Sequence, residues 1–248
     1  MHRPGPDHLR THACPPARFI PPIRTRHSLG NLLQQLNYTG AGAELGVRRG
    51  EYSWTLLSRW KQCSHFVQVD AWQSLANYAD ASNVDNATVQ LQRRQQSMGH
   101  MLDAKRAGYV QQITQCPNFT SVCVHDFADG YFDFVYVDAR HDRTGVLVDL
   151  SEWWPKIRRG GLMAGHDYTE QKEPGRLSWH GADPASSKQD WTLNSDGTKD
   201  LTGRVVRGAV DDFFSGVAAE SPPELRRCPR QVVVAYRELA YNTWMVTK

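Results

Sequence analysis

The chain has 248 residues, of which 40% are hydrophobic and 22% are charged, and its formal net charge is +3. This length favours one large α/β domain over two small ones. The positive charge comes from arginines in residues 1–30, so the rest of the chain is nearly neutral and lacks the basic character of a nucleic-acid-binding domain. No run approaches the roughly 20 apolar residues that a membrane span needs.

The N-terminal residues differ in composition from the rest of the chain. Residues 1–28 hold six of the thirteen prolines, which predicts a disordered basic tail before a domain of residues 29–248. The first 30 residues contain no apolar segment typical of a secretory signal. We therefore expect a cytoplasmic protein, or an organellar one if this arginine-rich segment is a transit peptide.

The five cysteines are scattered along the chain and include no CxxC pair. They are Cys14, Cys63, Cys116, Cys123 and Cys228. This pattern favours reduced thiols over a disulfide framework or a zinc site.

The first predicted elements form a candidate cofactor cradle. A short helix over 29–36 leads to a strand at 43–47, a glycine turn ending at Gly50 and a helix over 51–60. Glycine lets a backbone approach a ligand closely, and the turn precedes a helix N-terminus. The spacing is not the GxGxxG dinucleotide fingerprint, and Glu44 suits a cationic or hydroxyl-bearing ligand better than a pyrophosphate.

The next predicted strand, 66–69, ends at Asp70. A carboxylate at this position suits the two hydroxyls of a ribose. Residues 73–112 predict one or two helices over the sheet, with a third strand near 109–113. Residues 121–127 predict a short helix with Ser121 as its N-cap.

The clearest pattern lies in residues 133–168. A buried strand over 134–137 ends at Asp138, and the apolar residues of the next helix share one face: Val146, Leu147, Leu150, Trp153, Trp154 and Ile157. Gly160 and Gly161 are expected to break this helix before a strand that runs into His166 and Asp167. Since parallel strands place their carboxyl ends on one edge, Asp138, His141, His166 and Asp167 should converge there.

A long polar connection over 169–204 follows and contains Trp179, His180 and Trp191. Long connections in compact domains are usually functional or disordered. We predict a lid whose aromatic side chains wall an acceptor. A helix over 206–214 and a hairpin of 231–236 with 243–246 close the domain.

Four segments together resemble a known family. AELGVRRG, FVQVDAW, FDFVYVDARHD and GGLMAGHDY are similar to the motifs of class I S-adenosylmethionine-dependent methyltransferases, in the small-molecule O-methyltransferase branch that includes the macrocin O-methyltransferase relatives. The resemblance implies an α/β, Rossmann-like fold with a seven-stranded, mostly parallel sheet and a C-terminal antiparallel hairpin.

The resemblance also implies a cofactor site. Glu44 and Gly46, with Val47 and Gly50 of the same turn, would hold the methionine part of S-adenosylmethionine. Asp70 would bind the ribose. Trp72 and Ser121 would lie by the adenine, and Asp138 would border the cofactor.

The catalytic assignment rests on both the family and the chemistry. In related catechol-type enzymes an acid ends the fourth strand and a base follows three residues later, which here gives Asp138 and His141. Histidine is suited to remove the proton of an acceptor hydroxyl because its pKa is near neutral. The family's metal ligands correspond to Asp138, His166 and Asp167. Hard cations such as Mg²⁺ prefer oxygen donors and imidazole suits softer metals, so the histidine leaves open whether a metal is used. If one is used, we expect Mg²⁺ or another divalent cation.

Two other functions stay open: a nicotinamide-dependent oxidoreductase and a non-catalytic cofactor-binding protein on the same fold. For the methyltransferase, we expect a small-molecule acceptor and neither a nucleic-acid nor a membrane partner. The sequence does not indicate the oligomeric state.

Overall fold

A computed structural model describes residues 14, 18–80, 82–83, 86–171, 190–238 and 241–248. Its strands are β1 (Ala41–Leu45), β2 (Cys63–Val69), β3 (Val110–Cys116), β4 (Phe132–Val137), β5 (Ile157–Gly165), β6 (Val233–Val234) and β7 (Trp244–Thr247). Its α-helices are α1 (Leu29–Gln35), α2 (Glu51–Leu57), α3 (Ala87–Arg106), α4 (Thr120–Cys123), α5 (Arg143–Trp153), α6 (Val206–Ser215) and α7 (Pro223–Arg227).

Within the described ranges the strands form a seven-stranded sheet in the order β3-β2-β1-β4-β5-β7-β6. Strands β1 to β5 pair in parallel, and β7 runs antiparallel to both β5 and β6. The predicted fold is therefore confirmed. Every residue of the central strands β1 and β4 is buried, as expected for apolar strands covered on both faces.

Two apolar layers cover the sheet, because successive strand residues point to opposite faces. Val135 and Val137 pack with α5 and α6 on one face. Phe134 and Tyr136 pack with α1, α2 and α3 on the other. None of the helices in the described part of the chain is long and apolar enough to cross a membrane.

Two predicted boundaries were wrong. Helix α5 ends at Trp153, and Ile157 opens β5, so Gly160 and Gly161 lie inside this strand rather than breaking a helix. The strand tolerates them because the backbone of Lys248 bonds to both glycines. Helix α4 is capped by Phe119, so Ser121 lies within its first turn and is not its N-cap.

Residues 18–28 pack on the domain, and we call this segment the N-terminal arm. Ile20 and Ile23 are buried in the same cluster as α1 and α2. The carbonyl oxygens of Ile23 and Arg24 accept hydrogen bonds from the backbone of residues 236 and 237, at 3.1 and 3.0 Å. Most of the predicted tail before residue 18 lies outside the described residues.

The expectation of reduced thiols is wrong for four of the five cysteines. Disulfides join Cys14 to Cys228 and Cys116 to Cys123, with Cα–Cα distances of 5.4 and 6.1 Å, while Cys63 is a buried free thiol. Spacing along the chain did not indicate these pairs, because folding brings them together: Cys14 lies beside Cys228, the residue after α7, and β3 ends beside α4.

Candidate active site

A cavity of about 620 Å³ opens at the carboxyl ends of the parallel strands. It lies where the chain leaves β1 and β4 toward opposite sides of the sheet, the usual ligand position in open α/β folds. Backbone bonds hold the strand ends together: Asp138 N–H donates to Leu45 O at 2.8 Å, and His166 N–H donates to Val137 O at 3.1 Å. Residues after β1, β2, β4 and β5 therefore share one wall.

The glycine turn after β1 is tightly constrained. Gly46 has φ +81°, and a Cβ there would overlap the carbonyl of Asp138, so only glycine fits without strain. Asp70 fastens the rest of the turn, since its Oδ2 accepts from the N–H groups of Val47 at 2.9 Å and Arg48 at 2.8 Å. Gly46, Val47 and Asp70 all line the cavity. Asp70 Oδ1 also accepts from the Trp72 N–H at 2.7 Å. A carboxylate has about four lone-pair positions, so these three bonds leave Asp70 about one position with which to accept from a ligand.

Gly50 and Trp72 lie elsewhere than on the wall of this cavity. Gly50 caps α2 with φ +81°. Trp72 is buried, donates from its indole to Arg48 O at 2.8 Å, and lines a smaller cavity of about 300 Å³ that shares Ala71 with the main one. Both residues support the turn. Ser121, by contrast, lines the main cavity.

Glu44 lies in β1 and is almost fully buried while still bordering the cavity. The Ser53 hydroxyl donates to it, and Gln68 in turn donates to Ser53 Oγ at 2.7 Å. Burial raises the pKa of Glu44 to about 8. Glu44 is therefore mostly a neutral acid at pH 7 until a cation beside it favours the carboxylate.

The four residues predicted to converge do so. His141 Nε2 lies 3.0 Å from Asp167 Oδ2 and 3.4 Å from Asp138 Oδ1. His166 Nδ1 lies 3.3 Å from Asp167 Oδ2. Asp167 has φ 55°, a left-handed conformation that costs energy in a non-glycine residue and is typical of functional sites.

A second set of side chains surrounds His141 on its Nδ1 side. The Tyr78 hydroxyl lies 3.0 Å from Nδ1 and Asp80 Oδ2 lies 3.4 Å from it. The Trp191 indole donates to Asp80 at 2.7 Å, and its ring centroid is 4.4 Å from that of His141. His141 is thus held from both ring nitrogens.

These contacts set the protonation of the site. Burial lowers the pKa of His141, but Tyr78, Asp167 and Asp138 raise it more strongly, so this pKa lies well above its usual value. Burial also raises the pKa of Tyr78, so Tyr78 is neutral near pH 7 and the negative charge comes from the carboxylates. Burial alone would raise the pKa of Asp167, but His166 and His141 hold it well below its usual range. His141 is accordingly an imidazolium near neutral pH in the protein alone.

Asp138, His141 and Asp167 can each offer one ligand atom, and these atoms lie within 4.8 Å of one another. Two carboxylates and one imidazole fit a divalent transition metal better than Mg²⁺. In this group His141 takes the place that the sequence had given to His166.

Several cavity residues had not been predicted. Tyr78 and Asp80 lie in the segment after β2 that carried no clear motif, Tyr241 precedes β7, and Arg26 lies in the arm. Only Arg26 had a sequence signal, namely the two isoleucines just before it. Of the predicted lid aromatics, Trp191 lines the cavity, whereas Trp179 and His180 lie outside the described residues.

The sequence and the fold are both similar to those of known proteins. A family described as a methyltransferase domain matches residues 43–168. No curated protein matches the sequence.

The fold is similar to several solved structures. One is a protein from Corynebacterium glutamicum, with a TM-score of 0.53 and 14% identity over 90% of this chain and 78% of that one. A second is an O-methyltransferase from Bacillus cereus in complex with SAH, with a TM-score of 0.51 and 14% identity over 90% and 80% of the two chains. A third is the O-methyltransferase TomG from Streptomyces achromogenes, involved in tomaymycin synthesis and solved with SAM, with a TM-score of 0.50 and 12% identity over 90% and 79%. At these identities the likeness concerns the fold.

Proposed function

The chain belongs to the family of methyltransferase domains, and we propose that it transfers a methyl group from S-adenosylmethionine to a hydroxyl of a small-molecule acceptor. One observation carries the proposal. The glycine turn with Asp70 and the group of Asp138, His141 and Asp167 border the same cavity. The cavity can then hold donor and acceptor next to each other and in line, as the displacement requires.

The cofactor is proposed to lie along the ends of β1 and β2. Gly46 and Val47 face its methionine part, Asp70 accepts from the ribose hydroxyls, and Ser121 borders the adenine. Half-buried Asp138 offers negative charge to the ammonium and sulfonium groups, and so does buried Glu44 once a cation beside it favours its carboxylate. The fold similarity to O-methyltransferases solved with SAH and SAM supports this placement.

The acceptor is proposed to lie against His141, between Tyr78, Trp191 and Tyr241. In the reaction the methyl–sulfur bond breaks, a methyl–oxygen bond forms, and the acceptor hydroxyl loses its proton. His141 takes this proton only after its own proton has passed to a neighbouring carboxylate or to solvent. The positive charge of the sulfonium opposes the carboxylates that raise the pKa of His141, so it lowers this pKa and increases the fraction of neutral imidazole that can accept the hydroxyl proton.

A metal-assisted reaction is the second candidate, because Asp138, His141 and Asp167 form a possible ligand group. A divalent cation there would supply Lewis-acid activation of the acceptor oxygen. The two roles of His141 exclude each other at Nε2, since a nitrogen that binds a metal has no lone pair for a proton. Retained turnover in excess chelator supports His141 as a base, and loss of turnover that Mn²⁺ restores supports the metal.

The cofactor assignment is tested by calorimetry of the purified chain with S-adenosylmethionine and, separately, with NAD. We expect saturable binding of S-adenosylmethionine and none of NAD. Binding of NAD alone contradicts the proposal. A screen of methyl-labelled cofactor against metabolite fractions then identifies the acceptor, and the chemical stability of the product distinguishes an O-methyl from an N-methyl group.

A further inference from the structure

Arg26 lies outside the segment that the family matches, yet it lines the candidate cofactor cavity. One of its guanidinium nitrogens is 3.6 Å from Asp138 Oδ2. The other oxygen of Asp138 faces His141. Arg26 therefore lies on the side of Asp138 away from His141, in the same wall as Glu44, Gly46 and Tyr52.

The arm fixes Arg26 before any ligand arrives. Its guanidinium lies 5.2 Å from the centroid of the Tyr52 ring. Its backbone N–H donates to Glu238, and its carbonyl accepts from the Tyr52 hydroxyl at 3.3 Å. With Ile23 buried just before it, the side chain loses little freedom on binding a ligand, which favours affinity.

Other arginines on the cavity wall are committed to different segments. Arg140 donates to Asp142 at 2.6 Å and to the carbonyl of Asn77 at 3.0 Å. Arg93 donates to the carbonyl of Ser82 at 2.7 Å. Arg48 is exposed on the turn itself. Arg26 is the guanidinium that contacts Asp138 beside the glycine turn.

The methionine part of S-adenosylmethionine carries a carboxylate next to its ammonium and sulfonium groups. Glu44 and Asp138 suit the two cations but would repel the carboxylate. A guanidinium offers a planar pair of donors that matches a carboxylate, and its five N–H groups exceed what the pairing with Asp138 uses. We propose that Arg26, delivered by the N-terminal arm, binds the carboxylate of the cofactor's methionine moiety.

This inference rests on the proposed function, and a binding cycle separates the two. Calorimetry compares S-adenosylmethionine with its decarboxylated analogue, S-adenosylmethioninamine, on the full-length chain and on Arg26→Gln, Arg26→Lys and Arg24→Gln. Arg24 is the matched control because it is an exposed arginine of the same arm.

For Arg26→Gln we expect affinity for S-adenosylmethionine to fall about tenfold or more, since a charge-assisted pair is lost. Affinity for the decarboxylated analogue should stay the same or rise, because that ligand is more positive and the variant removes a positive charge. Arg26→Lys should lie between the unmodified chain and Arg26→Gln, and Arg24→Gln should change neither affinity. Because each variant is compared with itself on two ligands, partial misfolding lowers both affinities and does not imitate the expected result.

Equal losses for both ligands in Arg26→Gln, or no loss for either, overturn the role of Arg26 while leaving the cofactor assignment intact. If the unmodified chain binds neither ligand, the proposed function itself fails, and this inference fails with it.

Discussion

The protonation state of His141 depends on the groups around it. It is nearly buried and lies among Asp80, Asp138 and Asp167. Burial lowers the pKa of His141, but Tyr78, Asp167 and Asp138 raise it more strongly. A histidine identified from sequence as a neutral base is thus a cation in the protein alone, and its basicity depends on what else occupies the cavity.

For His141→Ala we expect kcat to fall by about 10²- to 10⁴-fold, the usual contribution of a positioned acid or base. The dissociation constant of S-adenosylmethionine should change little, because His141 is not among the proposed cofactor contacts. The assay uses labelled cofactor with the acceptor from the screen, and exposed His125→Ala is the control. An unchanged kcat removes His141 from the reaction.

Asp149 in α5 is a second residue whose surroundings change its chemistry. It is buried and accepts from Thr120, and burial raises its pKa to about 7. The folded protein keeps the Asp149 carboxyl protonated at pH values where the unfolded chain has lost that proton. The contribution of Asp149 to the free energy of unfolding therefore falls as pH rises from about 4 to about 7.

Between pH 5 and pH 8 the unmodified chain should lose about 1–3 kcal/mol more unfolding free energy than Asp149→Asn, which cannot ionise. Urea unfolding at the two pH values measures this difference, and Glu44 titrates in both proteins and so cancels. Parallel pH dependence of the two proteins would show that Asp149 has an ordinary pKa.

The N-terminal arm is a segment whose structure differs from the predicted disorder. Its proline and arginine content predicted disorder, but its backbone pairs with residues 236 and 237 and its isoleucines are buried. Composition describes an average over a segment, whereas two apolar side chains at suitable positions are enough to hold that segment against the rest of the domain.

Ile23→Ala should lower the free energy of unfolding by about 2–4 kcal/mol, because it removes buried methyl groups and leaves a cavity. Phe19→Ala is the matched control on the same arm, since Phe19 is 79% exposed, and it should change stability by less than about 0.5 kcal/mol. Urea unfolding followed by circular dichroism measures both. Equal effects of the two substitutions would mean that the arm does not pack as described.

Across the whole molecule, the disulfide between Cys14 and Cys228 links a residue before the arm to the residue after α7, 214 residues later in the chain. The Cys116–Cys123 bond spans 7 residues. Disulfides persist in oxidising compartments and are rare in the cytosol, so both bonds depend on the redox conditions around the protein.

Loop-closure entropy predicts that the double variant Cys14→Ser, Cys228→Ser loses about 5 kcal/mol, against about 2 kcal/mol for Cys116→Ser, Cys123→Ser. Urea unfolding of both variants measures the difference. Intact mass after alkylation of the urea-unfolded chain without reductant gives an independent check, with one alkylated thiol expected per chain, that of Cys63. Alkylation of five thiols would contradict both disulfides.

The sequence alone determined the sheet and the position of its ligand edge. Buried strands, a glycine turn and carboxylates at strand ends are local patterns, and parallel pairing brings those ends to one side. Asp138, His141, His166 and Asp167 could therefore be predicted to meet.

Only the tertiary structure decided which of these residues contact one another, and which distant ones join them. Tyr78 and Asp80 come from a segment without a motif, Arg26 comes from a segment predicted to be disordered, and the disulfide partners are far apart in sequence or separated by a turn. Their neighbours, and hence their charges, depend on packing between elements, because burial and the distance to other charges set the pKa of each group. Those distances exist only once the chain has folded.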